Sequence, residues 1–165
     1  MALNGKRAAF YSLLQSHDVL VRLLDRELQD APDGIPLDWY DVLIKLWLAP
    51  GSELRMSELA EQVLLSRSWI TRRIIQLEDA GLVARRPSTG DDRRGVIASL
   101  TRHGREVFAR LDTSHGDSIR RHFSDLVSDE EAATIRTVLE RITAIGKQSL
   151  AAEGQSAESS VDRAS

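Results

Sequence analysis

The chain has 165 residues, no cysteine and a net charge of −3, with 42% hydrophobic and 28% charged residues. That length allows one domain with a real core or two small lobes sharing one, and that composition excludes wholesale disorder. The missing thiols exclude disulfides, cysteine nucleophiles, thiol redox sensing and cysteine-rich zinc sites. With no apolar run near ~18 residues and no charged-then-apolar leader, the expectation is a cytoplasmic protein without membrane contact.

Phe10, Leu13, Leu14, His17, Leu20, Val21, Leu24 and Leu28 recur at three-four spacing and predict a long amphipathic helix over about residues 4–30. Pro32-Asp33-Gly34 ends it, and Pro36 opens a second helix, Leu37–Leu48, with Tyr40, Leu43, Ile44, Trp47 and Leu48 on a wide apolar arc. Pro50-Gly51 stops that helix, and Leu54-Arg55-Met56 is long enough for a short strand. Ser57 is a cap for a helix over Ser57–Leu64, with Leu59, Ala60 and Val63 inward. Leu65-Ser66 is a turn into a helix over Ser66–Ala80.

In that second helix Ile70, Ile74 and Leu77 make one stripe; Ser68, Arg72 and Ile75 lie opposite, flanked by Trp69 and Thr71. Val83–Arg86 and Val96–Leu100 alternate like strands across a turn containing Asp91-Asp92-Arg93-Arg94. Thr101 caps a long helix through Val107, Phe108, Leu111, His115, Ile119, Phe123 and Leu126. Ser128-Asp129-Glu130-Glu131 is a capping box opening a last helix striped by Ile135, Val138, Leu139, Ile142 and Ile145. Residues 151–165 lack periodicity and are expected to be disordered.

Between Ser66 and Arg94 there are seven arginines against four carboxylates, a local charge of +3, so the remainder of the chain carries −6. A basic island on an acidic body confines phosphate contacts to one face. Helix, turn, helix and basic hairpin together predict a mainly α fold with a small β-hairpin wing (α+β), a winged helix-turn-helix. Its expected organisation is a DNA-binding part over 36–100 and a helical dimerisation region over 1–35 and 101–150. The terminal helices carry more apolar face than one small winged domain covers, which favours a dimer over an intramolecular bundle.

Several residues resemble those of the MarR-type bacterial transcriptional regulators. Leu59-Ala60…Leu65-Ser66-x-Ser68…Thr71-Arg72…Leu77-Glu78-x-x-Gly81-Leu82-Val83-x-Arg85-Arg86 is similar to the helix-turn-helix core. Asp92-Arg93-Arg94…Leu100-Thr101-x-x-Gly104 is similar to the wing and the entry to the next helix, and Pro36…Tyr40-Asp41-Val42-Leu43 to the second helix. The resemblance spans about residues 5–148. It implies a homodimer, two recognition helices in successive major grooves of double-stranded DNA, wings in flanking minor grooves, and repression as the usual mode. Trp69 stands where the family usually has a small residue, and Ile75-Gln76 where it commonly has a charged pair.

The expected DNA-binding residues are Ser66, Arg67, Ser68, Thr71, Arg72, Arg73, Arg86, Asp92, Arg93 and Arg94. Ser66, Ser68, Thr71 and Arg72 read from the recognition helix, with Arg72 facing a guanine edge. Arg67, Arg73 and Arg86 are assigned to phosphate, which fixes register without reading sequence. The resemblance further implies that Arg94 enters the minor groove, with Arg93 as the alternative, while Asp92 braces the hairpin. It also implies a small aromatic or anionic effector, for which His17, Trp39, Tyr40, Leu43 and Trp47 are the candidate lining. There His17 or Lys45 would meet the anion; as the alternative, these aromatics are ordinary core.

No cofactor is expected. A metal-responsive regulator is a secondary reading: Asp112 and His115 share a helix face, with His122 two turns on, but a zinc site would need more carboxylates. Enzyme chemistry finds neither a glycine-rich phosphate loop nor a nucleophile–His–acid set. The remaining rival is a winged-helix module that binds protein without specific DNA binding.

Overall fold

A computed structural model describes residues 4–63, 67–88 and 95–162, without the side chains of Arg67, Ser68, Ala151 and residues 153–162. The chain divides into two compact units, Met1–Ile119 and Arg120–Ser165.

The first unit begins with α1 (Gly5–Gln29), capped by Asn4, whose side-chain oxygen accepts the Arg7 N–H at 2.9 Å. Near its other end Leu28 is buried. α2 (Leu37–Leu48) follows Pro36, which offers no capping side chain. Instead the Asp25 carboxylate of α1 accepts the Leu37 N–H at 2.8 Å, supplying from a neighbouring helix the acceptor and negative charge that a helix N-terminus favours. The buried arc of α2 is Tyr40, Val42, Leu43 and Leu46; Trp47 and Leu48, expected inward, are 42% and 72% exposed. The arc is rotated because α2 is covered by α1, by the sheet and by the short helix at Met56–Gln62 rather than on every side.

After a single turn of 3-10 helix at Pro50–Ser52 come β1 (Glu53–Arg55), α3 (Met56–Gln62), α4 (Arg67–Asp79), β2 (Val83–Pro87), β3 (Val96–Leu100) and α5 (Arg102–His122). α3 begins one residue before the cap expected at Ser57: Glu58 accepts the Arg55 N–H at 3.0 Å, so the acidic residue fixes the start and Ser57 lies within the helix. The three strands form an antiparallel sheet in the order β1-β3-β2, with Leu54 opposite Ala98 and Arg85 opposite Ala98 from the other side. The Ser88 N–H donates to the Gly95 carbonyl at 2.8 Å, continuing the hairpin one step beyond β2. Phe108, Leu43, Leu46, Leu59, Ile70, Ile74, Leu77 and Leu111 are the largest fully buried side chains, drawn from α2, α3, α4 and α5. Each such burial contributes about 1.5–3 kcal/mol.

The base of the wing is tied by two glycines. Gly81, at φ +72°, ends α4: its N–H donates to the Glu78 carbonyl, and the Leu82 N–H donates to that of Leu77 at 2.9 Å. Thr101 donates its hydroxyl to the Gly81 carbonyl at 2.7 Å and accepts the Gly104 N–H at 2.8 Å, capping α5 while holding the end of α4. Gly104 is packed so closely that an added Cβ would lie 2.0 Å from the Leu82 carbonyl oxygen.

In the second unit Arg120 pairs with Asp125 at 3.1 Å, and a 3-10 turn at Ser124–Leu126 leads to α6 (Asp129–Asp162). Glu131 accepts from both the Ser128 N–H and its hydroxyl, the Glu131 N–H points back to the Ser128 hydroxyl, and these bonds hold the Glu131 carboxyl below the ordinary carboxylate range. α6 carries helix through Asp162, where the composition predicts a structureless tail. Alanine, glutamate and glutamine are good helix formers, and lengthening an existing helix needs no new nucleus. No helix among the described residues is long and apolar enough to cross a membrane.

Candidate nucleic-acid interface

α4 has two faces of opposite character. Ile70, Ile74 and Leu77 are 0–1% exposed and bind the helix to the core, as their spacing predicts. On the other side Thr71 and Arg72 are exposed and Ile75 is 40% exposed. Arg72 makes no ion pair among the described residues, so its five N–H donors face solvent from a helix whose back is fixed. Arg67 and Ser68 open the same helix. Ser66, Asp92, Arg93 and Arg94 lie outside the described residues.

The remaining arginines of the island are held within the protein. Arg85 donates from its backbone N–H and its guanidinium to Glu78, whose carboxyl is drawn below the ordinary carboxylate range by those bonds. This clamps the start of β2 to α4. Arg86 reaches over β3 to both oxygens of Glu53 on β1 at 2.9 Å. Arg73 pairs with Asp38 of α2 at 2.6 Å, donates to Gln76 at 2.8 Å, and lies 5.0 Å from the ring centre of Trp69. Arg73 and Arg86, assigned from sequence to phosphate, are therefore engaged with carboxylates. Their sequence neighbourhood shows only charge; the partners lie 35 and 33 residues away.

The expected effector residues do not come together as a set. Tyr40 and Leu43 are buried core, Trp39 is half-buried, and His17 is exposed on α1. Tyr40 and Trp47 do converge, both against Phe108, at 5.4 and 5.0 Å between ring centres. The histidine beside Tyr40 is His115, 4.4 Å from it, and Asp112 accepts the Tyr40 hydroxyl at 2.6 Å. Burial, reinforced by the bond to Asp112, pushes the Tyr40 phenol well above its ordinary value. Burial also raises the Asp41 carboxyl and lowers His115, against the opposing pull of Asp41 and Asp112. His115 is 8% exposed and its Nδ1 is buried without a hydrogen-bond partner. The three-residue spacing of Asp112 and His115 marks them as sharing a face, but their meeting with Tyr40 depends on the crossing of α2 and α5. Among the described residues no cluster of three or more His, Asp or Glu is arranged to hold a metal ion, and Asp112 is occupied by Tyr40.

Comparison with known proteins bears on what this arrangement serves. The MarR family model matches residues 39–95. The chain is 33% identical to AbsC, a MarR family transcriptional regulator from Streptomyces coelicolor, over 87% of this chain and 95% of that one, with a TM-score of 0.79. A second MarR family regulator from the same organism, solved in complex with DNA, is 32% identical over 88% and 90% of the two chains, with a TM-score of 0.80. A mutant MarR from E. coli complexed with operator DNA shares the fold at 23% identity and a TM-score of 0.72, over 86% of this chain and 99% of that chain. No curated protein matches. On the strength of the identity and coverage with the Streptomyces regulators, the chain belongs to the MarR family.

Proposed function

We propose that the protein is a sequence-specific double-stranded DNA-binding transcriptional regulator, a cytoplasmic repressor and not an enzyme. It acts as a homodimer on a near-palindromic operator. The observation that carries this reading is α4, locked to the core by Ile70, Ile74 and Leu77 while Thr71 and Arg72 face outward. The relative solved in complex with DNA, at 32% identity, supports it. Residues 36–100 carry DNA recognition, with half-sites about one helical turn apart. Residues 1–35 and 101–150 carry the dimer, for which the exposed Phe10, Leu14, Ile142 and Ile145 supply apolar surface. Arg72 reads a base edge from the major groove, and Arg93-Arg94 serve the minor groove.

A small aromatic or anionic effector releasing the operator is the finer part of the proposal. The cluster of Tyr40, Trp47, Phe108 and His115 favours a place beside α2 and α5, with His115 taking the part expected of His17.

In vitro selection from a random duplex library tests the reading, repeated with Arg72→Ala and with Arg93 and Arg94 both changed to Ala. The expected result is an inverted repeat. Arg72→Ala should lose about 1–3 kcal/mol of discrimination at one base position, and the double wing variant should weaken all sequences alike. No enrichment at low or moderate salt would replace DNA by a protein partner.

A further inference from the structure

Trp69, Arg73 and Gln76 are spaced i, i+4, i+7, so they form one stripe of α4, between its buried face and its outward face. Two nitrogens of the Arg73 guanidinium are engaged within the protein, Nη2 with Asp38 and Nη1 with the exposed Gln76, and the group lies near Trp69, which itself packs against the core. The Arg73 and Asp38 side chains are only 28% and 33% exposed, and Arg73 Nε and Asp38 Oδ1 are buried without partners. A guanidinium so placed is held toward Asp38, and its Nη2 would have to leave that carboxylate to meet a phosphate. Asp38 is itself placed by the first turn of α2, whose leading N–H is held by Asp25 of α1.

We propose that Asp38 and Arg73 form a latch fixing the set of α4 on α2, so that Arg73 is a positioning residue for DNA reading and not a phosphate contact. The proposal rests on the DNA-binding function proposed above for its consequence, though not for the latch itself. The two roles predict opposite signs for one substitution. If Arg73 bound phosphate, neutralising Asp38 would free the cation and remove a repelling charge, and DNA binding would tighten. If the pair sets the helix, the same change loosens α4 and operator binding weakens.

The experiment measures operator affinity against salt for Asp38→Asn, Arg73→Met and the double variant, and hydrogen exchange of the α4 amides without DNA. Asp38→Asn is expected to weaken operator binding about tenfold with an unchanged salt slope, and to speed exchange in α4. The double variant is expected to lose no more than the worse single one, because the two side chains act as a unit. Arg73→Lys keeps the charge but not the planar fork, guards against a misfolded Arg73→Met, and should behave like Asp38→Asn. Tighter binding by Asp38→Asn, or a salt slope reduced by about one in Arg73→Met, would overturn the proposal. Unchanged affinity and exchange in Asp38→Asn would overturn it too. Should the wild-type protein select no operator, the DNA reading fails and the latch is decided by the exchange of α4 alone.

Discussion

The winged part of the molecule and its terminal helices satisfy their side chains in opposite ways. In α4 and the sheet most apolar residues are buried, with Ile75 and Val96 each 40% exposed, and three of the described arginines are matched to Glu78, Glu53 and Asp38, leaving Arg72 outward. α1 leaves Phe10 54%, Tyr11 48% and Leu14 50% exposed, and α6 leaves Ile142 53%, Ile145 59% and Leu150 67% exposed. The first region closes most of its contacts within itself and leaves Arg72 facing solvent. The second is striped like a helix that belongs against another surface.

The contrast predicts where damage goes. The largest effect is expected from Gly104→Ala: the new Cβ meets the Leu82 carbonyl, not a flexible side chain, so backbone at the base of the wing must move. A loss of about 3 kcal/mol in urea unfolding is expected; a loss under about 0.5 kcal/mol would mean that α5 slides away from Leu82 without penalty. Next is Ile142→Glu combined with Ile145→Glu. Self-association followed by sedimentation should weaken by about 2–3 kcal/mol, while α4 keeps its hydrogen-exchange protection. Unaltered association would place the dimer contact elsewhere than this stripe.

The smallest effect is set by pH. His115 is held below its ordinary pKa by burial, so the unfolded chain takes up its proton first as pH falls below about 6.5. Its contribution is whole above that point and is lost as pH falls through the window beneath it. Asp41, raised by burial, acts with the opposite sign from the ordinary carboxylate value upward, with Asp112 and Tyr40 also facing the imidazole. Thermal unfolding should therefore drop in midpoint from pH 7.5 to 5.5, and His115→Gln should flatten the drop. An equally steep drop in His115→Gln would remove His115 from the account.

Much of the architecture is readable because it is local. The period of Ile70, Ile74 and Leu77, the Pro36 and Gly81 boundaries, the Thr101 cap and the Ser128–Glu131 box each declare themselves within one or two turns of chain. α2 begins and ends where the sequence places it, at Leu37 and Leu48. What escapes is set by distant partners. Nothing near Arg73 names Asp38, nothing near Arg86 names Glu53, and His17 and His115 look alike as histidines on apolar stripes until α2 and α5 cross. The turn of α2 that leaves Leu48 exposed depends on which faces α1, the sheet and α3 cover.

The knot at Gly81, Leu82, Thr101 and Gly104 has a further consequence, for how such a chain can be rebuilt. It fastens both ends of the hairpin at its root: the end of α4 beside β2, and β3 where it enters α5. The bonds of that fastening are made at the root itself, by Gly81, Leu82, Thr101 and Gly104. A change made between Ser88 and Gly95 removes none of the bonds that fasten the root. Exchanging that stretch between regulators of this shape amounts to changing a tool bit in a fixed chuck.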